Sequence, residues 1–132
     1  MWWALSHYGF SNINLLNGGL HSWKSQGKPT ESGTIKTETA TFTFPENASS
    51  AKLITKEELF DLISANQESY VLVDTRSKEE FLGNKLKNGA AKAGRIPNSV
   101  HLDWSEAIHF NGNKKIKSVA DLERIFGRLG AS

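Results

Sequence analysis

Apolar residues recur at helical spacing in three segments of the second half of the chain, and each segment begins with a capping residue. Thr55 with Glu58, and Ser77 with Glu80, match the capping box, in which each side chain accepts a hydrogen bond from the other residue's backbone N–H. Ser118 opens the third segment, whose apolar positions follow i, i+3 and i+4 spacing: Val119, Leu122, Ile125, Phe126 and Leu129. The sequence therefore predicts helices that begin after residues 55, 77 and 118.

Short apolar runs lie between the predicted helices and indicate strands. Residues 70–73 form a β-rich run that ends at Asp74, and residues 100–102 form a second run. Near the start of the chain, residues 12–16 predict a short buried strand between two short helices, the first ended by Gly9 and the second by Gly27. Helices that alternate with strands in this way are typical of α/β folds.

The composition changes between residues 28 and 50, where Pro, Gly and Asn stand in a Ser/Thr-rich background. Such a segment predicts a linker. Within it, residues 39–44 alternate with a period of two and could form an edge strand or a strap. The chain is therefore expected to comprise residues 1–33, a linker over 34–50, and a second unit over 51–132.

Composition and charge narrow the class of protein. The chain is 38% hydrophobic and 23% charged, which fits a soluble globular protein. A net charge of +2 is too small to indicate a nucleic-acid partner. Apolar runs all fall short of the ~18 residues of a membrane span, and the first residues lack the pattern of a signal peptide. We expect no nucleic-acid or membrane partner and a cytoplasmic location.

The sequence contains no cysteine. Disulfides, thiolate metal sites and cysteine catalysis are therefore excluded within these 132 residues. The four histidines show no pair at zinc-ligand spacing, so we expect no metal site.

Asp74 and Arg76 follow directly after a predicted strand, at the edge where open α/β sheets bind ligands. Arg76 could hold an anion there, or the two residues could form an ion pair that fixes the turn. A basic stretch lies close by in the sequence and could either draw anions to a cleft or form a solvated loop: Lys78, Lys85, Lys87, Lys92 and Arg95.

Two stretches of the chain resemble the rhodanese family, specifically its tandem-domain thiosulfate and 3-mercaptopyruvate sulfurtransferases. Residues 3–29, with Asn-Gly-Gly-Leu at 17–20 and Trp23, resemble the carboxyl end of one rhodanese repeat. Residues 72–83 (LVDTRSKEEFLG) and 93–104 (AGRIPNSVHLDW) resemble the amino-terminal half of the next repeat. The resemblance implies an α/β, three-layer rhodanese-like fold with a parallel sheet, incomplete in this chain.

The resemblance also implies a reaction. In the family, a loop cysteine takes a sulfane sulfur from an anionic donor, thiosulfate or 3-mercaptopyruvate, and passes the persulfide sulfur to a thiol or cyanide. No metal or organic cofactor is required. The register of the match places both cysteine loops outside the chain, so we expect a truncated sequence that has no catalytic residue, is inactive alone and is prone to self-association.

Two other readings of the resemblance stay open. A non-catalytic rhodanese-like module would keep the scaffold for binding or regulation and lose the chemistry. Rhodanese-fold phosphatases also depend on a cysteine loop, and the Trp-rich Gly-Gly-Leu segment favours the sulfurtransferases over them.

The resemblance adds Arg95 to Asp74 and Arg76 as the candidate substrate-binding residues. The commoner form of the second motif is Gly-His-Ile-Pro-Gly-Ala, whereas residues 94–99 read Gly-Arg-Ile-Pro-Asn-Ser. Arg95 could therefore buttress the loop or touch the substrate. Glu80 stands where animal members tend to carry a basic residue that contacts substrate, and a carboxylate facing the pocket would repel an anionic donor.

Overall fold

The computed structural model, which describes residues 1–43, 53–65 and 70–130, contains a two-stranded parallel sheet. Strand β1 (Val73–Asp74) pairs with β2 (Val100–His101), so that Val73 lies opposite Val100 and Asp74 opposite His101. The Leu102 backbone N–H donates to the Asp74 carbonyl at 3.1 Å. Parallel pairing brings the carboxyl ends of both strands to one edge, where the segments that follow them become neighbours.

The three helices predicted to begin after residues 55, 77 and 118 do begin there, whereas the 3₁₀ helix at residues 104–107 was not predicted. Both capping boxes are formed, one by Thr55 with Glu58 and the other by Ser77 with Glu80. The Ser118 side chain accepts from the Asp121 backbone N–H at the start of the last helix. The helices are α1 (Trp2–His7), α2 (Gly19–Ser25), α3 (Lys56–Ser64), α4 (Lys78–Phe81), a 3₁₀ helix (Trp104–Ala107) and α5 (Val119–Gly127).

The strand predicted for residues 12–16 is wrong. The segment pairs with neither strand of the described sheet, and Leu15 and Leu16 are 66% and 56% exposed. A strand is stabilised by ladder hydrogen bonds to a neighbour, and an apolar run without such a neighbour gains none of them. The Asn17 side chain instead accepts a hydrogen bond from the Ile116 backbone N–H at 2.8 Å, which ties this end of the chain to the segment before α5.

Residues 39–43 form no strand, and Phe44 lies outside the described residues. The Phe42 ring stacks on the Phe10 ring with 3.9 Å between centroids, as a strap over the first segment would. Most of the predicted linker's second half also lies outside the described ranges, so the division of the chain into three parts stays a prediction.

The described part of the chain has a small apolar core. Leu102 and Ile125 are each 5% exposed, and α5 packs on the 3₁₀ helix, where Arg128 lies 3.8 Å from Glu106. Many large apolar side chains are open to solvent, among them Trp2, Trp3, Leu20, Phe60, Trp104 and Val119. No described helix has the length and apolar character that crossing a membrane requires.

Candidate functional site

A cleft of about 720 Å³ lies beside the carboxyl end of β1, within the size range of small-molecule sites. One wall is residues 72–76, which include the end of the strand and the turn after it. The other wall comes from residues 92–97 together with Ser99. The structure thus brings all three residues expected at the pocket to one cleft: Asp74, Arg76 and Arg95.

Asp74 and Arg76 form a bidentate ion pair inside the cleft. The Arg76 Nε donates to Asp74 Oδ1 at 3.0 Å, and its Nη2 donates to Oδ2 at 2.6 Å. The Arg76 backbone N–H also donates to Oδ1, at 3.1 Å. These hydrogen bonds, led by those of the guanidinium, lower the pKa of Asp74. The ion pair that the sequence allowed is therefore formed, and it fixes the turn after β1.

Arg76 also holds the opposite wall of the cleft. Its Nη2 donates to the Gly94 carbonyl at 2.8 Å. Gly83, at φ +82°, packs against the same wall, since a Cβ there would lie 3.4 Å from the Gly94 Cα. Within the described ranges, the Nη1 group of Arg76 makes no hydrogen bond. It is the part of this guanidinium that a bound anion could still engage.

Asn98 stands where the commoner motif has Gly, and the turn that follows Arg95 is nevertheless formed. The Ser99 backbone N–H donates to the Ile96 carbonyl at 3.3 Å, which closes a four-residue turn with Pro97 at its second position. Asn98, at φ +61°, occupies the third position. Type II turns require positive φ there, and Asn is the residue that tolerates it best after Gly. Asn98 therefore takes the conformation that Gly supplies in the commoner motif.

Arg95 is exposed and rests on an aromatic platform. Its guanidinium carbon lies 4.5 Å from the centroid of the Phe81 ring, and that ring contacts the His101 ring at 4.9 Å. His101 Nε2 lies 2.8 Å from the Arg76 carbonyl oxygen, so His101 is packed and hydrogen-bonded. A cation over a ring face is attracted by the ring quadrupole without losing its hydrogen-bond donors. Arg95 is thus held in place while its N–H groups stay available.

Glu80 is turned away from the cleft. The residue is 7% exposed, and its carboxylate accepts from the Ser77 hydroxyl at 2.9 Å and the Ser77 backbone N–H at 3.3 Å. The hydrogen bonds from Ser77 lower its pKa, because they favour the ionised carboxylate. Glu80 does not line the cleft. A donor in the cleft therefore does not meet the Glu80 carboxylate directly, although the charge of Glu80 still acts on Arg76.

Sequence reasoning missed the role of Phe81. Only the register of β2 shows that His101 lies under this ring and Arg95 over it. The available signal was an aromatic residue four positions after the N-cap of α4, which alone indicates ordinary packing. Within the described ranges, no three His, Asp or Glu side chains lie close enough together to hold a metal ion.

Replacing Asp74 with Asn should lower the thermal midpoint by about 5 °C, the shift that a loss of about 1 kcal/mol produces in a small domain. The ion pair is partly exposed, with side-chain exposures of 11% for Asp74 and 39% for Arg76, so its contribution is moderate. The pKa of Asp74 is below its ordinary value of 3.8 in the folded chain, so the contribution is complete above that pH and disappears as pH falls through the lowered value.

Circular dichroism melts at neutral and acid pH measure this effect. Asp61→Asn, which changes the same charge at an exposed position of α3, is the matched control and should change the midpoint little at either pH. An equal loss in both variants, or an Asp74→Asn deficit that does not shrink as the pH is lowered below 3.8, would show that the ion pair is not the cause.

Comparison with known proteins identifies the architecture that carries this cleft. The family model described as "Rhodanese-like domain" matches residues 55–126. A putative thiosulfate sulfurtransferase of Saccharopolyspora erythraea is 28% identical over 98% of this chain and 46% of its own length. The 3-mercaptopyruvate sulfurtransferase of Rattus norvegicus is 29% identical over 96% of this chain and 41% of its own length. The chain thus spans less than half the length of these relatives.

A solved structure extends the likeness to the fold. The structure of an EanB variant in complex with ergothioneine superposes with a TM-score of 0.82 over 98% of this chain and 32% of that chain. The two sequences are 20% identical, so this likeness concerns the fold alone. It confirms the expected α/β fold with helices around a parallel sheet.

Proposed function

The chain belongs to the rhodanese-like domain family, and from that premise we propose that its cleft binds the anionic sulfur donor of a sulfurtransferase, thiosulfate or 3-mercaptopyruvate. The relatives named as thiosulfate and 3-mercaptopyruvate sulfurtransferases support a role in that chemistry. The single observation that carries the proposal is the convergence of Asp74, Arg76 and Arg95 on one cleft.

The charges of the cleft suit an anion. Asp74 neutralises most of the positive charge of Arg76, whereas Arg95 and Lys92 make no ion pair with a carboxylate in the described ranges. Two uncompensated cations on one wall favour a ligand with negative charge. In this proposal Arg95 and the Nη1 group of Arg76 contact the donor, and Asp74 positions Arg76.

The persulfide step lies outside these 132 residues. Sulfur transfer needs a thiolate that attacks the outer sulfur of thiosulfate, with sulfite as the leaving group, or the sulfur of 3-mercaptopyruvate, with pyruvate as the leaving group. The thiolate then carries that sulfur as a persulfide, and this chain has no cysteine. We propose that the cleft supplies donor binding, that a cysteine elsewhere in a longer polypeptide supplies the thiolate, and that a thiol or cyanide is the acceptor. No cofactor enters this scheme.

The absence of cysteine favours a second candidate, a non-catalytic rhodanese-like binding or regulatory module. Such a module would bind the same anions and transfer no sulfur. The genomic sequence that flanks these residues separates the two candidates. A cysteine-bearing loop in the continuing reading frame supports the sulfurtransferase, and a stop codon without continuation supports the module.

Replacing Arg95 with Gln should weaken thiosulfate binding about tenfold, the effect of losing one charge-assisted contact. Titration followed by NMR, with the Gly94 and Arg95 amides as reporters, measures the affinity of the full chain. Arg128→Gln removes the same charge at a residue that does not line the cleft and is the matched control. Similar losses in both variants, or shifts confined to residues outside the cleft, would refute donor binding at this site.

A further inference from the structure

A closed surface loop, residues 84–93, stands on the rim of the cleft, and we call it the rim loop. Its two ends meet, because a Cβ on Gly83 would lie 3.4 Å from both Cα and N of Gly94. The Asn84 and Lys85 backbone N–H groups donate to the Glu79 carbonyl at 2.9 and 3.1 Å, which anchors the first end to α4. Compact loops with adjacent ends, called Ω loops, are frequently functional.

The rim loop concentrates positive charge, although Lys87 lies close enough to the Glu80 carboxylate to interact with it. Lys85, Lys87 and Lys92 lie on it and Arg95 follows it, while no acidic residue occurs from position 81 to position 102. Every residue of the rim loop is exposed. Within the described ranges, none of these four cations lies in a salt bridge. A chain whose net charge is only +2 therefore presents a locally strong cationic surface.

The surface around the rim loop is mixed rather than purely charged. Leu82, Leu86 and Ile96 are 50%, 55% and 43% exposed, and they flank or interrupt the run of cations. The last residues of the loop, Lys92 and Ala93, line the cleft itself. Such a surface offers an acidic partner complementary charge at the loop and apolar contact beside it.

We propose that the rim loop docks a partner protein with an acidic surface and places it over the mouth of the cleft. Single-stranded nucleic acid binds where aromatic rings stack on bases, and the loop carries no aromatic residue, while Arg95 covers the ring of Phe81. Anionic membranes attract denser runs of four to eight basic residues, whereas the loop has three lysines, and residues 88–91 separate Lys87 from Lys92.

The docking follows from the rim loop alone. That the docked protein also exchanges sulfur with the cleft is a corollary that rests on the proposed function. Failure of thiosulfate binding would remove the corollary and leave the docking surface intact, so the two hypotheses fail separately.

The test is binding of a fluorescein-labelled decaglutamate peptide to the full chain, measured by fluorescence anisotropy. The variant Lys85→Gln/Lys87→Gln/Lys92→Gln should lose at least about tenfold in affinity, and binding by the unaltered chain should fall from low salt to about 0.15 M salt. Lys24→Gln/Lys28→Gln/Lys36→Gln removes the same charge from exposed positions and should lose less than about twofold.

Three outcomes would overturn the proposal. They are equal losses in the two triple variants, no binding of the peptide by the unaltered chain, and tighter binding of duplex DNA or phosphatidylserine vesicles through the same three lysines. Far-ultraviolet circular dichroism checks that each variant keeps its fold. Peptide-induced NMR shifts at the Gly94 and Arg95 amides of the unaltered chain locate the contact without any substitution.

Discussion

The purified chain is expected to form thiocyanate from thiosulfate and cyanide no faster than the uncatalysed reaction. The chain has no cysteine, and the hydroxyl groups that line the cleft, on Thr75 and Ser99, are poor substitutes for a thiolate. An unactivated hydroxyl stays protonated at neutral pH, and within the described ranges no histidine lines this cleft to act as its base. A colorimetric thiocyanate assay with varied protein concentration measures the result.

Treatment with a thiol-alkylating reagent provides the control. Turnover that alkylation abolishes belongs to a contaminating thiol enzyme, because this chain has no thiol to alkylate. Turnover that survives alkylation, scales with the chain's concentration and falls in Arg95→Gln would contradict the prediction. It would show that the cleft reacts by a route other than a cysteine persulfide.

Anion binding and sulfur transfer are thus separable in this chain. Within the cleft, Arg76 and Arg95 have different tasks in binding. The Arg76 guanidinium donates four hydrogen bonds to Asp74 and the Gly94 carbonyl, so most of its donors hold the two walls together. Arg95 and Lys92 keep their charge uncompensated on the wall that Arg76 positions. We therefore expect the choice among anions to depend more on Arg95 than on Arg76.

The parts of the fold that the sequence predicts well are those decided over a few residues. A capping box involves two side chains three positions apart, and both predicted boxes are formed, at Thr55 and Ser77. The strand wrongly predicted at residues 12–16 depended on a partner elsewhere in the chain, which no local pattern specifies. An apolar run indicates that a segment tends to be buried, whereas pairing with a neighbouring strand decides whether the segment forms a strand.

The candidate site shows the same limit. Asp74 and Arg76 could be chosen from the residues alone, because they follow a strand and stand two positions apart. Arg95 came from the resemblance, since its place in the cleft depends on the pairing of β1 with β2 and on the contact between Arg76 and Gly94. The platform of Phe81 beneath Arg95 depends on the same pairing, which only the structure shows.

The exposed apolar surface of the chain leads to a second prediction, which concerns self-association. Large apolar side chains of the described residues are open to solvent, as the exposures of Leu15, Phe60 and Val119 show, at 66%, 69% and 72%. Burial of such surface against another polypeptide is strongly favourable.

We therefore expect the purified chain to self-associate at micromolar concentration, and its thermal midpoint to rise with protein concentration. Sedimentation velocity over about a hundredfold range of concentration measures the association. Sulfate salts should strengthen it, since they favour apolar burial, whereas sodium chloride should leave it largely intact. Association that sodium chloride disperses would instead implicate the lysines of the rim loop. A monomer throughout that range, with a sharp melt independent of concentration, would show that the apolar surface is not available for association.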